Sequence, residues 1–382
     1  MTPPSNRATW MAVSAMFILN GALYGIWASR IPAMAVRHDL DAGALGLLLL
    51  LLAGGAIAAF PLAGRFADRF GAAMITLRIA VAYTVALALT ALAPNVASLA
   101  FALMIFGATH GAMDVAMNTW AGEAERHIAR PVMSSFHAMF SLGAGLGAAS
   151  GFAAEHWGVG IPLHFIVTGA GVAVVTLAFA RIGWVSPTRD SLSDTPLFPL
   201  PKGPLIAVGL IAFCTSMGEG AMVDWSALLL IETAGVTAAH AALGYSVFSV
   251  AMVITRLLGD QATRAFGPTP TARVAGVIAT LGAVSAVAST SYGVTLVGFA
   301  LMGIGYAVIM PLAFSRAARD PHLPPGTAIA SVSTLGYGGL LLGPPLIGFV
   351  AHATTLRTGF GLLAVLAALI VVLAGAVRAR KD

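Results

Sequence analysis

Runs of about twenty residues with almost no charge recur twelve times along this 382-residue chain, and they constrain its fold more than any other feature. They fall near 10–30, 43–63, 73–93, 97–120, 132–154 and 160–180, then near 204–231, 240–258, 270–290, 293–313, 327–351 and 358–378. A hydrocarbon core of about 30 Å is crossed by ~20 apolar residues in an α-helix, and only helices or closed barrels satisfy their backbone polar groups there. The expected fold class is therefore an all-α integral membrane protein with twelve transmembrane helices. Composition agrees: 58% of residues are hydrophobic and 9% charged, against about 25% charged in a soluble protein. The 43 glycines suit a membrane bundle, where small residues let helices approach closely. A single cysteine, Cys214, excludes an intrachain disulfide and a cysteine-based metal cluster.

The formal charge of +5 would suggest nucleic acid or an acidic partner in a soluble protein. Here its distribution points to a bilayer instead. With the N-terminus in the cytoplasm, all 20 Lys and Arg except Arg30, Arg37 and Arg357 fall on cytoplasmic loops, tails or adjoining helix ends, Arg256 among them. The positive-inside rule then puts both termini in the cytoplasm. The first apolar run lacks a small-residue cleavage site and reads as a retained helix.

Residues 181–203, with Pro187, Pro196, Pro199 and Pro201, form a polar linker between a first half (1–180) and a second half (204–382). The halves repeat one another at an offset of about 198 residues. "NGALYGIW" from Asn20 parallels "EGAMVDW" from Glu219, "GRFADRFG" from Gly64 parallels "GDQATRAFG" from Gly259, and "FALM" recurs at 101 and 299. Six helices plus six helices by internal duplication is the expected organisation. The segment "GRFADRFG" resembles the loop signature of the major facilitator superfamily, with Gly64, Asp68, Arg69 and Gly71 in its key positions. In the second copy Thr263 stands at the aspartate position, which questions an equal role for that loop. "GAMDVAMNTW", "SSFHAMFSLGAGLGA" and "EGAMVDWSALLL" resemble the fucose-permease-like branch, which includes rhizopine permeases. The resemblance implies secondary transport by alternating access. It further implies that Asp68 latches the first half against the eleventh helix, and that the first, fourth, seventh and tenth helices line the solute path.

Ionisable groups deep in a bilayer cost about 2.5–3.5 kcal/mol on insertion scales, so each one is a functional candidate. The fourth helix carries His110, Asp114 and Asn118 at i, i+4, i+8, which share one face. Asp114 and His137 of the fifth helix lie at similar depths, ~10 Å from the same side. A carboxylate facing an imidazole there would bring a proton affinity toward the physiological range. The alternative is that His137 and Ser141 simply pack on the glycine-rich fifth helix. Glu219 lies ~22 Å into the seventh helix, placed to bind solute hydroxyls or to carry the proton. Asp224, nearer the outer end, reads as a gate anchor with Arg30 as its expected partner. Asn20, Tyr24 and Trp27 share a face of the first helix, and Trp225 and Tyr306 add aromatic rims. Such faces suit a sugar or polyol, although Trp27 and Trp225 also fit an interfacial belt.

These residues define the expectation: a plasma-membrane transporter of a small polar solute, sugar- or polyol-like, coupled to protons. Asp114, Glu219 and His137 would handle the proton. Asn20, Tyr24, Trp27, His110, Asn118, Glu219, Trp225 and Tyr306 would bind substrate. Proton-driven efflux of amphipathic compounds is the second reading, weakened by a fifth helix with Gly143, Gly145 and Gly147 but no proline. No cofactor, metal or nucleic acid is expected, nor enzyme chemistry. The partners are the solute, protons and the lipid bilayer, and a single chain with two halves is expected to act as a monomer.

Overall fold

The computed structural model describes residues 4–189, 200–241 and 243–378, and among these residues every regular element is helical. Eleven helices are long and apolar enough to cross a membrane, and Met133–His156, with 24 residues, is a twelfth of similar length. They are α1 (Asn6–Ser29), α2 (Ala42–Phe70), α3 (Ala72–Leu92), α4 (Val96–Ile128), α5 (Met133–His156) and α6 (Ile161–Ala180). After the expected linker, of which 190–199 lie outside the described residues, come α7 (Pro204–Ala234), α8 (Leu243–Phe266) and α9 (Pro268–Ala288). The last three are α10 (Tyr292–Ala317), α11 (Pro325–Ala353) and α12 (Leu356–Val377).

Helix starts are set by local chemistry. Asp41 and Asn95 accept the backbone N–H of Ala44 at 2.7 Å and of Ser98 at 2.9 Å, capping α2 and α4; such a cap contributes about 1 kcal/mol. Gly71, at φ 94°, reverses the chain between α2 and α3 in a conformation that side chains with a Cβ rarely adopt. Several helices overrun their apolar runs, α2 through Arg65, Asp68 and Arg69 and α8 as far as Phe266. Ala, Arg and Gln are strong helix formers, so the hydrogen-bond ladder continues where apolarity stops. A break in α10 at Val308 follows from Pro311, which has no N–H to offer the Ala307 carbonyl one turn back.

The helices form two compact units. The first holds residues up to 129, 136–199 and 321–330, and the second holds 130–135, 200–320 and 331 onward. Each unit therefore takes in the first residues of one helix from the other half of the sequence: α11 in the first unit, α5 in the second. In the first unit Phe17, Phe60, Phe106, Phe136 and Phe165 are fully buried. There α1 and α5 run backbone to backbone, since a Cβ at Gly21 or Gly143 would collide with the backbone of Phe140 or Ile18. The second unit packs around Phe248, Phe299, Met302 and Phe360.

Candidate functional site

Each unit carries its own polar cluster inside the membrane-crossing helices. In the first unit, His110 Nδ1 on α4 lies 3.0 Å from Asn20 Oδ1 on α1 and 3.0 Å from the Tyr83 hydroxyl on α3. The Asn20 carbonyl only accepts, so facing it Nδ1 carries the hydrogen. Tyr24 stacks on the imidazole at 5.0 Å and keeps 38% of its surface exposed. Asn20 Nδ2 is buried without a protein partner. Further along the same face of α4, Asn118 Nδ2 donates to Asp114 Oδ1 at 3.2 Å and to the Asp114 carbonyl at 2.8 Å. Asn118 Oδ1 faces His137 Nε2 on α5 at 3.2 Å. The expected facing of carboxylate and imidazole is thus replaced by an amide bridge, in which His137 Nε2 donates to Asn118 and Asn118 donates to Asp114. Asp114 itself is half-buried, while Asn118 is fully buried. Trp27, although on the same helix as Asn20 and Tyr24, is 2% exposed and packs among Phe106 and Phe165 at 6.0 and 6.4 Å. Its ring is occupied in this structure by packing against those two aromatic neighbours.

In the second unit, Glu219 of α7 places Oε2 3.6 Å from Arg256 Nη2 of α8. The glutamate keeps 27% of its side chain exposed and the arginine 8%. Arg256 Nε also donates to the Ala307 carbonyl at 3.4 Å, the group that Pro311 leaves without a helical donor. The break in α10 thus supplies the acceptor that fixes the guanidinium beside Glu219. The sequence reading counted Arg256 with the cytoplasmic ends. It lies ten residues before the end of α8, ~15 Å inside it, and the carboxylate one helix away compensates its charge. Glu219 Oε1, the Tyr306 hydroxyl and Trp225 Nε1 are buried without protein partners. Tyr306 lies against Gly218, where any Cβ would strike its ring. Asp224 is exposed, and Arg30, expected as its partner, is engaged within the first unit. Its guanidinium pairs instead with Glu155 at 3.0 Å and donates to the Val159 carbonyl at 3.2 Å, both beyond or at the end of α5 in the same unit.

At the α2–α3 turn the signature residues make a helix cap. Asp68 Oδ1 accepts from Gly326 N–H at 2.8 Å, and Oδ2 accepts from the N–H and hydroxyl of Thr327 at 2.8 and 2.7 Å. These are the orphan donors of the first turn of α11, where a negative charge also meets the positive end of the helix dipole. Gly64 faces Gly326 so closely that a Cβ on either would meet the other's carbonyl oxygen. Arg69 takes no visible part in the cap: it is exposed, its guanidinium 5.2 Å over the Phe70 ring.

The second unit contains a counterpart that the sequence reading missed. Asp260 on α8, 8% exposed, accepts from Ser134 N–H at 2.9 Å and Ser135 N–H at 2.8 Å, capping the start of α5. Reading Thr263 as the aspartate position hid this, because the carboxylate stands three residues earlier on the same helical face. The signal was present in the Gly-Asp pair that opens the second copy. Glu123 of α4, also unforeseen, is buried and accepts from Trp184 Nε1 at 2.8 Å and Ser186 Oγ at 2.7 Å, holding the chain that leaves α6. Among the described residues no group of three or more His, Cys, Asp or Glu could hold a metal ion.

A family profile described as Major Facilitator Superfamily matches residues 8–323. An uncharacterized transporter, y4wD of Sinorhizobium fredii, is 44% identical over 365 residues, covering 96% of this chain and 97% of that protein. The human organic anion transporter MFSD10 superposes with a TM-score of 0.80 at 15% identity, covering 97% of this chain and 100% of the other. The Escherichia coli fucose:proton symporter FucP superposes with a TM-score of 0.79 at 16% identity, covering 99% and 100%. At such identities these two likenesses are of fold alone. With twelve helices, an aspartate cap in the signature loop and a family match over most of its length, the chain belongs to the Major Facilitator Superfamily and is a multi-pass secondary transporter, not an enzyme.

Proposed function

We propose that this transporter moves a small polar solute, sugar- or polyol-like, across the plasma membrane by alternating access, coupled to protons and acting as a monomer with both termini in the cytoplasm. The observation that carries the reading is the set of buried polar atoms without protein partners, Asn20 Nδ2 in one unit and Glu219 Oε1 and the Tyr306 hydroxyl in the other. Leaving such atoms unpaired in a low-dielectric interior costs about 1–3 kcal/mol each, and solute hydroxyls would satisfy them on binding. Tyr24 offers an exposed ring in the first unit, stacked on His110 beside Asn20, for the apolar face of a sugar. Proton coupling rests on the Asp114–Asn118–His137 chain, in which one carboxylate and one imidazole share an amide that can donate to one and accept from the other.

The test is transport by purified protein in liposomes under an imposed pH gradient, screened over sugars, polyols, amino acids and amphipathic cations. Accumulation of a sugar-like compound driven by an inward proton gradient supports the proposal. Gradient-driven expulsion of amphipathic compounds instead would replace it with the efflux reading. With a substrate in hand, Asp114→Asn is expected to abolish accumulation while sparing counterflow. Equal loss of both would remove Asp114 from the proton path.

A further inference from the structure

We infer that the first unit carries a binding site for an anionic phospholipid, in a groove that the transport reading does not use. The groove has a volume of about 510 Å³ and is lined by Leu77, Arg78 and Val81 of α3, Trp120 of α4, and Ile182 and Trp184 just after α6. Three features make it a site for a lipid and not merely a dent in a greasy surface.

The first is charge. Arg78 lies six residues into α3, ~9 Å from its start, and is exposed. Among the described residues no carboxylate lies within ion-pair distance of it. Arg181, which follows groove residue Ala180, is exposed and likewise without an ion pair. A guanidinium at that depth is unfavourable unless its stem reaches to the interface or an anion comes to it. A lipid phosphate satisfies it with paired N–H···O bonds. The second feature is an unused donor in the wall. Trp120 is 0% exposed, and its indole Nε1–H is buried without an acceptor. A glycerol-ester or phosphate oxygen would supply one. The third is rigidity. Trp184 is fixed by its hydrogen bond to Glu123 at 2.8 Å, and Ser186 ties the same segment to Glu123 at 2.7 Å and to Ala73 N–H at 3.1 Å. The far wall is therefore set before any ligand arrives, which lowers the ordering cost of binding. Leu77, Val81 and Ile182 offer an apolar track for one acyl chain, and the unpaired Arg78 in the groove selects a headgroup of net negative charge over a zwitterion.

The experiment is native mass spectrometry of the detergent-purified full chain titrated with dioleoylphosphatidylglycerol or dioleoylphosphatidylcholine, with soluble glycerophosphoglycerol as the headgroup without chains. The wild type is expected to retain one phosphatidylglycerol in preference to phosphatidylcholine. Arg78→Gln should weaken that retention about tenfold, the ratio that 1.4 kcal/mol represents. Val81→Trp, which fills the chain track from an exposed position, should weaken it too, and Trp120→Phe should do so while keeping the ring. Each variant's melting temperature without added lipid controls for folding. Equal retention of both lipids by the wild type overturns the inference, as does undiminished retention by well-folded Arg78→Gln and Val81→Trp. Protection from unfolding by glycerophosphoglycerol equal to that by the lipid would replace the lipid by a soluble phosphate compound and overturn it as well.

Discussion

Replacing Asp68 by Asn preserves the shape of the α11 cap while removing its charge, and the structure gives the cost. Oδ2 takes two hydrogen bonds from Thr327, and Oδ1 takes one from Gly326. An amide oxygen can serve one of these sides, and the other then meets an NH2 group that cannot accept. One buried donor is left unsatisfied, at about 1–3 kcal/mol, and the remaining bonds lose their charge assistance. A total of about 2–3 kcal/mol corresponds to a roughly 30- to 150-fold rise in the population in which the first turn of α11 has left α2. Cys214 is the only native cysteine and is buried, so an introduced thiol can be followed with little background. Ala330 is 1% exposed and lies beside Gly64. In an Ala330→Cys background, Asp68→Asn is expected to speed alkylation by about 30-fold or more, because the rate follows the open population while that population is small. A change of less than about twofold, at unchanged thermal stability, would refute the reasoning that this cap holds one conformational state.

Asp260→Asn removes a cap of two bonds instead of three, so a thiol introduced at Val132, 4% exposed beside the start of α5, should react about 5- to 30-fold faster, for a loss of about 1–2 kcal/mol; an unchanged rate would argue against the second cap. Arg256→Gln leaves Glu219 without its cation and should lower the melting temperature, whereas the double variant Glu219→Gln/Arg256→Gln should recover most of the loss, because removing both charges of a buried pair is far less harmful than removing one. Additive losses in that cycle would show that the 3.6 Å pair contributes no coupling. Trp27→Ala should cost about 3–5 kcal/mol of stability through lost packing. Tyr24→Leu, which removes the exposed ring, should raise the KM for the solute; a selective KM effect from Trp27→Phe instead would move Trp27 into the binding surface.

The membrane architecture was legible because it rests on one-dimensional quantities: run length, charge spacing and an internal repeat. The contact of Asp68 with α11 was expected only through the resemblance of "GRFADRFG" to a family signature, since residue spacing alone names no partner helix. What stayed hidden depended on which neighbour a side chain meets. Tyr24 and Trp27 share a sequence-level face, yet α1 is buried on nearly all sides, so helical spacing could not separate an exposed ring from a packed one. Arg256 reads as a membrane-end charge, and its place beside Glu219 shows only once the carbonyl that Pro311 frees is known to lie against it. Asp260 was obscured because the second copy of the signature is one residue longer and its acid has moved by nearly a turn. Arg30 found Glu155 because the end of α5 lies in its own unit, a partner that the repeat symmetry does not contain.

The exchange of helix starts between the two units has a consequence for biosynthesis. Gly326 is separated from Asp68 by 258 residues, and Ser134 from Asp260 by 126. At a synthesis rate of about 5–20 residues per second, Asp68 is made roughly 13–52 s before its partner, whereas Ser134 waits roughly 6–25 s for Asp260. During that interval α2 is already inserted with a carboxylate that has nothing to cap. A chain that stops between the end of α6 and Gly326 has all six helices of its first half and still leaves that carboxylate uncapped. Synthesis of the first turn of α11 is therefore the point at which the Asp68 carboxylate first has its donors.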